Sequence, residues 1–385
     1  MIETQPMMVQ ANLIPINKPL LDEEEVKVVS QILRSGALTG RTERIDSHVG
    51  KFEKRFAEFV KAKHAFAVNS GTSALYLSLL ASGVGRKHEV IVPSFTFVST
   101  AESVLLAGAE PVFVDIHPQT YNIDPDEIEK AISRKTKAII PVDLYGLPAD
   151  MKPIREIADD HDLVVVEDAA QAHGARYQGL PTGRFAHLAC WSFYASKNMT
   201  TGEGGMITTN DDRYQDNIPY MRTHGEKEEY VSTMLGGNFR MPEMEAAIGN
   251  VQLSKLPAFL QARNRNASRL AERLEDSETI QLPTVSKGYK HSWYLFTIKL
   301  KGANEKTRDQ IVEKLRNQGI GATVYYRCPI HLMPLYSGFR TSSLAHTEDA
   351  AKHVISLPIH PAVTPEQIDS IAQSMQKVLE SKRDP

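Results

Sequence analysis

Between residues 64 and 210, short runs rich in Val, Ile and Phe alternate with segments of helical periodicity, and this alternation narrows the possible folds more than any other feature of the chain. HAFAVNSGTSALYLSLLASGV reads as strand, tight turn and helix. EVIVPS, PVFVDI, KAIIPVDLYG and LVVVEDAA repeat the strand signal, with FVSTAESVLLAG, PDEIEKAIS and PIREIADDHD as the helices between them. Parallel strands need a crossover between neighbours and are buried on both faces, so near-continuous apolar runs separated by helices imply a mainly parallel sheet covered on both sides. The expected class is α/β. WSFYASKN and GGMITTN read as two further strands around a polar loop, which carries the sheet to about Asn210.

Two amphipathic helices precede this region, in DEEEVKVVSQILRSG and HVGKFEKRFAEFVKAK, joined by a polar connection over 40–50. After it, MPEMEAAIGNVQLSKLPAFLQARNRNASRLAERLED is expected to be helical with an interruption near Pro257, and to link two domains. HSWYLFTIKL and ATVYYRCPIH then look like strands, while TRDQIVEKLRNQG and TPEQIDSIAQSMQKVLE look like amphipathic helices. The expected division is a large domain over 1–250, with the N-terminal helices, and a linking helix plus small α+β domain over 251–385.

Charge and cysteine usage exclude some partners. Lys+Arg 44 against Asp+Glu 47 leaves a net charge of −3, without the basic excess of nucleic-acid binders. No apolar stretch is long enough to span a bilayer, and Met1 to Leu13 lacks a basic segment followed by an apolar core. Cys190 and Cys328 form no CxxC pair, so a reducing, cytoplasmic setting is expected. HExxH is absent and no second ligand stands at metal spacing, so no metal is expected.

Three motifs carry chemistry. Asn69-Ser70-Gly71-Thr72-Ser73 puts small residues at a strand-to-helix turn, where free amides can face a phosphate; a plain Ser/Thr cap gives the same pattern. Asp168 closes the apolar run Leu163–Val166, at the strand end where open α/β sheets bind ligands; it could pair with a protonated ring nitrogen, hold a metal or cap the next turn. Lys197 follows the aromatic run Trp191–Tyr194. An ammonium at such a place loses hydration, which favours the free amine that forms a Schiff base with a carbonyl cofactor; the alternative is an ion-paired or snorkelling lysine. Anion site, ring-nitrogen partner and amine are together the parts that hold pyridoxal phosphate.

With SGTSAL at 70–75, PSFTFVSTAESVLLAGAEPVFVDI at 93–116, EDAAQAHGA at 167–175, SFYASKNMTTGEGG at 192–205 and NFRMPEMEAAIGNVQL at 238–253, the chain resembles the DegT/StrS-type sugar aminotransferases over nearly its whole length. The resemblance implies the fold type I of pyridoxal 5'-phosphate-dependent transferases. It also implies Lys197 as Schiff-base lysine and proton carrier, and Asp168 as partner of the pyridine nitrogen. Gly71, Thr72 and Ser192 would hold the phosphate, Phe97 would stack on the ring, and Gln171 would contact the ring or its phenolic oxygen. Asn238 resembles the residue that reaches the partner's phosphate, which implies a homodimer with shared sites. Tyr326 and His331, in a segment similar to the family's Tyr-x-x-Pro-x-His, would lie near the substrate or serve the core, and Arg240 would face the substrate or form a structural ion pair; Arg327 stands where proline is common.

The implied reaction passes an amino group, from L-glutamate, to a keto-sugar. Thr-Thr-Gly-Glu-Gly-Gly after the lysine is similar to the branch acting on nucleotide-linked 4-keto-6-deoxy sugars, with a 3-keto sugar, a keto-cyclitol or a keto-sugar acid as alternatives. Related dehydratases replace the lysine with histidine, and position 197 is Lys. A nicotinamide enzyme would need GxGxxG at an early turn, which SGTSAL lacks.

Overall fold

The computed structural model describes residues 13–39, 47–228 and 230–380; most of the 40–50 connection lies outside them. Seven strands form the central sheet: β1 (His64–Val68), β2 (Glu89–Pro93), β3 (Glu110–Val114), β4 (Thr136–Ile139), β5 (Val164–Asp168), β6 (Leu188–Ser192) and β7 (Gly205–Thr209). Their order is β1-β7-β6-β5-β4-β2-β3. Only β7 runs antiparallel to its neighbours; the β2–β3, β2–β4, β4–β5 and β5–β6 pairs are parallel. The α/β expectation from the apolar runs is met, and the parallel strands deliver Ser94, Asp168 and Ser192 to one end of the sheet.

Helices α1 (Glu23–Ser35), α2 (His48–Val60), α3 (Gly71–Ala81), α4 (Ser99–Leu106), α5 (Pro125–Ala131) and α6 (Met151–Asp160) surround this sheet. Their covering follows sequence. α3 is apolar nearly all round, so it is sandwiched against the sheet with Leu75, Leu77 and Leu79 buried. α2 instead buries one stripe, Val49, Phe52, Phe56 and Val60, at the 3–4 spacing that puts residues on one helix face.

Helix α7 (Glu243–Leu274) is continuous, which corrects the expected break at Pro257. Proline removes one helical N–H but its φ suits a helix, and a 32-residue helix packed along its length tolerates the loss of one bond. α7 crosses position 250. Ala246, Leu253 and Leu256 join the core beside the seven-stranded sheet with Phe52 and Trp191. Ala267, Leu270 and Leu274 join a second core with Phe296, Ile298, Leu315, Ile371 and Met375.

That second core is built on β8 (Ile280–Gln281), β9 (Phe296–Leu300) and β10 (Val354–Leu357), with helices α8 (Glu305–Asn317) and α10 (Pro365–Glu380), while α9 (Ala345–His353) buries Ala350 and Ala351 in a separate cluster with Phe95 and Tyr145. Ile14, far away in sequence, is also buried in the second core. No strand forms over 322–331: Thr323 alone bridges to Ser356, and the chain then turns irregularly. Tyr326 has a left-handed φ of 59°, and Pro329 has no N–H to donate, so the segment cannot continue a ladder.

Candidate active site

Asp168 ends β5, its backbone N–H donating to Pro141 O at 2.8 Å. Its carboxylate is buried, and Oδ2 accepts from the Thr100 hydroxyl of α4 at 2.9 Å while Oδ1 accepts from the Ala170 amide at 3.2 Å. Burial raises its pKa, opposed by those two bonds and by the charge of Lys197.

Lys197 does not continue strand β6, which ends at Ser192; it lies in the loop returning to β7. That loop is pinned by Lys197 N–H donating to Tyr194 O at 2.9 Å and Phe193 N–H donating to Gly204 O at 2.9 Å. Lys197 Nζ stands 4.6 Å from the centre of the Tyr294 ring, and the Tyr294 hydroxyl is 3.0 Å from Ser196 Oγ. At the start of α3, Ser70 Oγ accepts from the Ser73 amide at 3.1 Å, which leaves the Gly71 and Thr72 amides among the helix's unpartnered first donors.

These groups share a cavity of about 470 Å³. Gly71, Thr72, Phe97, Asp168, Gln171, Ser192, Lys197 and Tyr326 all line it, although they come from five separate stretches of chain. Phe97 is 59% exposed, so one face of its ring is free. Gln171 accepts from the Tyr145 amide at 2.8 Å and donates to the Tyr326 hydroxyl at 3.0 Å, and the Tyr145 and Tyr326 rings stack 6.1 Å apart.

The sequence profile of the DegT/DnrJ/EryC1/StrS aminotransferase family matches residues 19–376. The chain belongs to this family. It is 37% identical over 369 residues to GDP-perosamine synthase of Caulobacter vibrioides, covering 95% of this chain and 98% of that one. It is 41% identical over 317 residues to UDP-N-acetyl-3-dehydro-alpha-D-glucosamine 3-aminotransferase of Acidithiobacillus ferrooxidans, covering 82% and 84%. Its fold matches the PMP form of Spr1654 from Streptococcus pneumoniae with a TM-score of 0.90, at 29% identity and over 97% and 100% of the two chains. As a DegT/DnrJ/EryC1/StrS aminotransferase, the protein is a pyridoxal 5'-phosphate-dependent transaminase.

The cavity fits that cofactor. A Cβ on Gly71 would lie 2.8 Å from Ser192 Cβ, and one on Gly205 would overlap the Ser70 carbonyl, so the two glycines let the start of α3 lie close against β6–β7, where the Gly71 and Thr72 amides and Ser192 meet at the cavity. Gly205→Ala is therefore expected to cost about 1–3 kcal/mol of stability and to weaken cofactor affinity. Denaturant unfolding and cofactor titration check this; wild-type values in both would mean that this packing tolerates a methyl group.

Three expected residues of this aminotransferase lie elsewhere. Asn238 is exposed, its carbonyl accepting from Asn69 Nδ2 at 3.3 Å, and Arg240 is half-buried with its backbone bridged to Val68. His331 Nδ1 is 2.7 Å from Ser94 Oγ and Nε2 is 3.6 Å from Glu348, which turns its ring to a structural contact outside the cavity. Arg327, at the unusual position, pairs with Asp309 at 2.7 Å. Sequence reasoning missed Thr100 and Tyr294. Thr100 lay inside a recognised motif without a role, and Tyr294 was hidden in a strand-like aromatic run.

Beside Asp168, the buried carboxyls of Asp143 and Glu167 face each other. Asp143 Oδ1 accepts from the Ala149 amide at 2.8 Å, and both Glu167 oxygens accept from the Gly183 amide at 3.1 and 3.2 Å. Burial pushes both pKa values up, with the Glu167 charge adding to the rise at Asp143. The folded chain thus keeps a proton that the unfolded chain releases in the ordinary carboxylate range. Its stabilising effect is complete below that range and is lost as pH rises through the raised values. Glu167→Gln should flatten this decline; thermal midpoints between about pH 5 and 8 test it, and equal slopes in variant and wild type would refute the retained proton.

Proposed function

We propose that the enzyme moves an amino group from L-glutamate to a keto-sugar, and that its acceptor is a nucleotide-linked 4-keto-6-deoxy sugar. The observation that carries this reading is the convergence of Lys197, Asp168, Phe97 and the Gly71–Thr72 amides on one cavity of a size to hold a cofactor with part of a sugar. The names of the two relatives support a sugar acceptor; the Acidithiobacillus enzyme specifically favours the second reading, a nucleotide-linked 3-keto sugar.

Bound pyridoxal phosphate supplies the electron sink for the carbon that loses or gains the amino group. The chain's own residues do the rest. The Gly71 and Thr72 amides with Ser192 would hold the phosphate, and Phe97 would offer a ring face to the cofactor. Asp168, kept in place by Thr100 and buried from water, would hold a proton on the ring nitrogen. Lys197 Nζ would hold the cofactor covalently, and as a free amine it would take up and return a proton beside the reacting carbon. Tyr294 beneath it limits where that amine can swing. Gln171 holds the Tyr326 hydroxyl at the cavity wall. Asn238, exposed and outside the cavity, is assigned to the partner's site in a homodimer.

Two free cysteines support work in the reducing cytoplasm, and among the described residues no helix is long and apolar enough to cross a membrane. An absorbance spectrum of the holoenzyme tests the donor: L-glutamate should convert the aldehyde form to the amine form, and a 4-keto nucleotide sugar should reverse it. No change with glutamate would refute the donor. Reversal by 3-keto but not 4-keto sugars would replace the acceptor.

A further inference from the structure

On the opposite side of β6 from the active site lies a second cavity, of about 460 Å³, which shares no lining residue with the first. Successive strand residues face opposite ways, so Ser192 points into the active-site cavity while Trp191 walls this one. Its other walls are Phe59 at the end of α2, Pro257 and Leu260 midway along α7, and His291. Large domain, linking helix and the segment leading to β9 therefore all border it.

Three observations indicate what it takes. The walls of Phe59, Trp191 and Leu260 are apolar and two of them are aromatic, which suits a flat ring. Thr182 lines the cavity 3% exposed, and among the described residues its buried hydroxyl has no hydrogen-bond partner, a cost that a ligand atom would relieve. Arg176 and Lys290, also in the lining, stand directly opposite each other on paired antiparallel strands. Like charges so placed repel, and neither has a carboxylate within 4 Å among the described residues; Arg176 reaches only the Gly179 carbonyl, at 3.1 Å.

We propose that this cavity is a second ligand site, which takes a flat aromatic anion: the ring lies against Phe59, Trp191 and Leu260, and the anionic group lies between Arg176 and Lys290. A mononucleotide and an aromatic acid share this chemistry. The site is independent of the sugar assignment, since none of its residues lines the active-site cavity.

The protein reports on it directly, because its two tryptophans border the site: Trp191 in the wall, and Trp293 stacked on His291 at 4.0 Å. 8-Anilinonaphthalene-1-sulfonate is titrated into the holoenzyme, where pyridoxal phosphate already occupies the active site. The expected result is saturable binding of one probe per chain, with energy transfer from tryptophan. The double variant Arg176→Ala/Lys290→Ala should bind it at least tenfold more weakly with transaminase activity unchanged. Gln261→Phe, at an exposed helix position on the cavity's lining, should block it sterically. Displacement by guanosine monophosphate identifies nucleotides as the source, and displacement by naphthalene-1-sulfonate alone identifies aromatic acids. Non-saturable binding, unchanged affinity in both variants, or no displacement by either competitor overturns the proposal.

Discussion

Turnover in the Lys197→Ala enzyme is expected to fall by about 10³-fold or more, because the substitution removes both the covalent anchor and the proton carrier from one atom. Little else should change. Lys197 Nζ makes no ion pair among the described residues and rests over the Tyr294 ring, so its loss deletes one cation–π contact and leaves the loop's backbone bonds intact. The variant should fold, and it should still bind pyridoxal phosphate through the Gly71–Thr72 amides and Asp168. Small amines added to the solution should restore part of the activity by replacing the missing proton carrier. Steady-state kinetics with L-glutamate and an accepted keto-sugar measure the effect. Turnover within about tenfold of wild type would sink the assignment of Lys197.

Asp168→Asn should cost about 10²-fold or more in the glutamate half-reaction, with folding nearly untouched. The two outcomes separate because asparagine has the shape of aspartate without its charge. Its Oδ1 can still accept from the Thr100 hydroxyl or the Ala170 amide, so the local packing of α4 against the end of β5 survives. What it cannot do is hold a proton on a ring nitrogen, and in a buried site no water replaces that charge. Stopped-flow absorbance with L-glutamate and a thermal melt make the comparison. Wild-type half-reaction rates would remove Asp168 from the chemistry, while a large fall in melting temperature would make its role structural.

Much of the fold was legible because buried parallel strands show up as uninterrupted Val and Ile runs, as at 90–92 and 163–166. The strand-end positions of Asp168 and the Gly71 turn followed from the same signal. The errors have a common physical origin. In the 322–331 segment the aromatic run has strand composition, yet Tyr325 and Tyr326 serve as cavity wall, and Tyr326 takes a left-handed φ that ends any ladder. At Pro257 the local rule for a helix break was outweighed by packing at both ends of α7. His331 is a different case: its motif was legible in the sequence, and the contact of its ring with Ser94, 237 residues away, was not.

By itself the sequence determined the α/β class, the helices and most of the sheet, and the kinds of groups that stand at the strand ends. Those properties depend on periodicity and turn chemistry within a few residues of chain. Only the tertiary structure decided that Thr100 steadies Asp168, that Tyr294 lies under Lys197, that Gln171 holds Tyr326, and that Asn238, Arg240 and His331 stay outside the cavity. Each of those contacts joins residues about 70 to 155 positions apart, and its geometry is set by how sheet, loop and small domain close on one another rather than by any local preference.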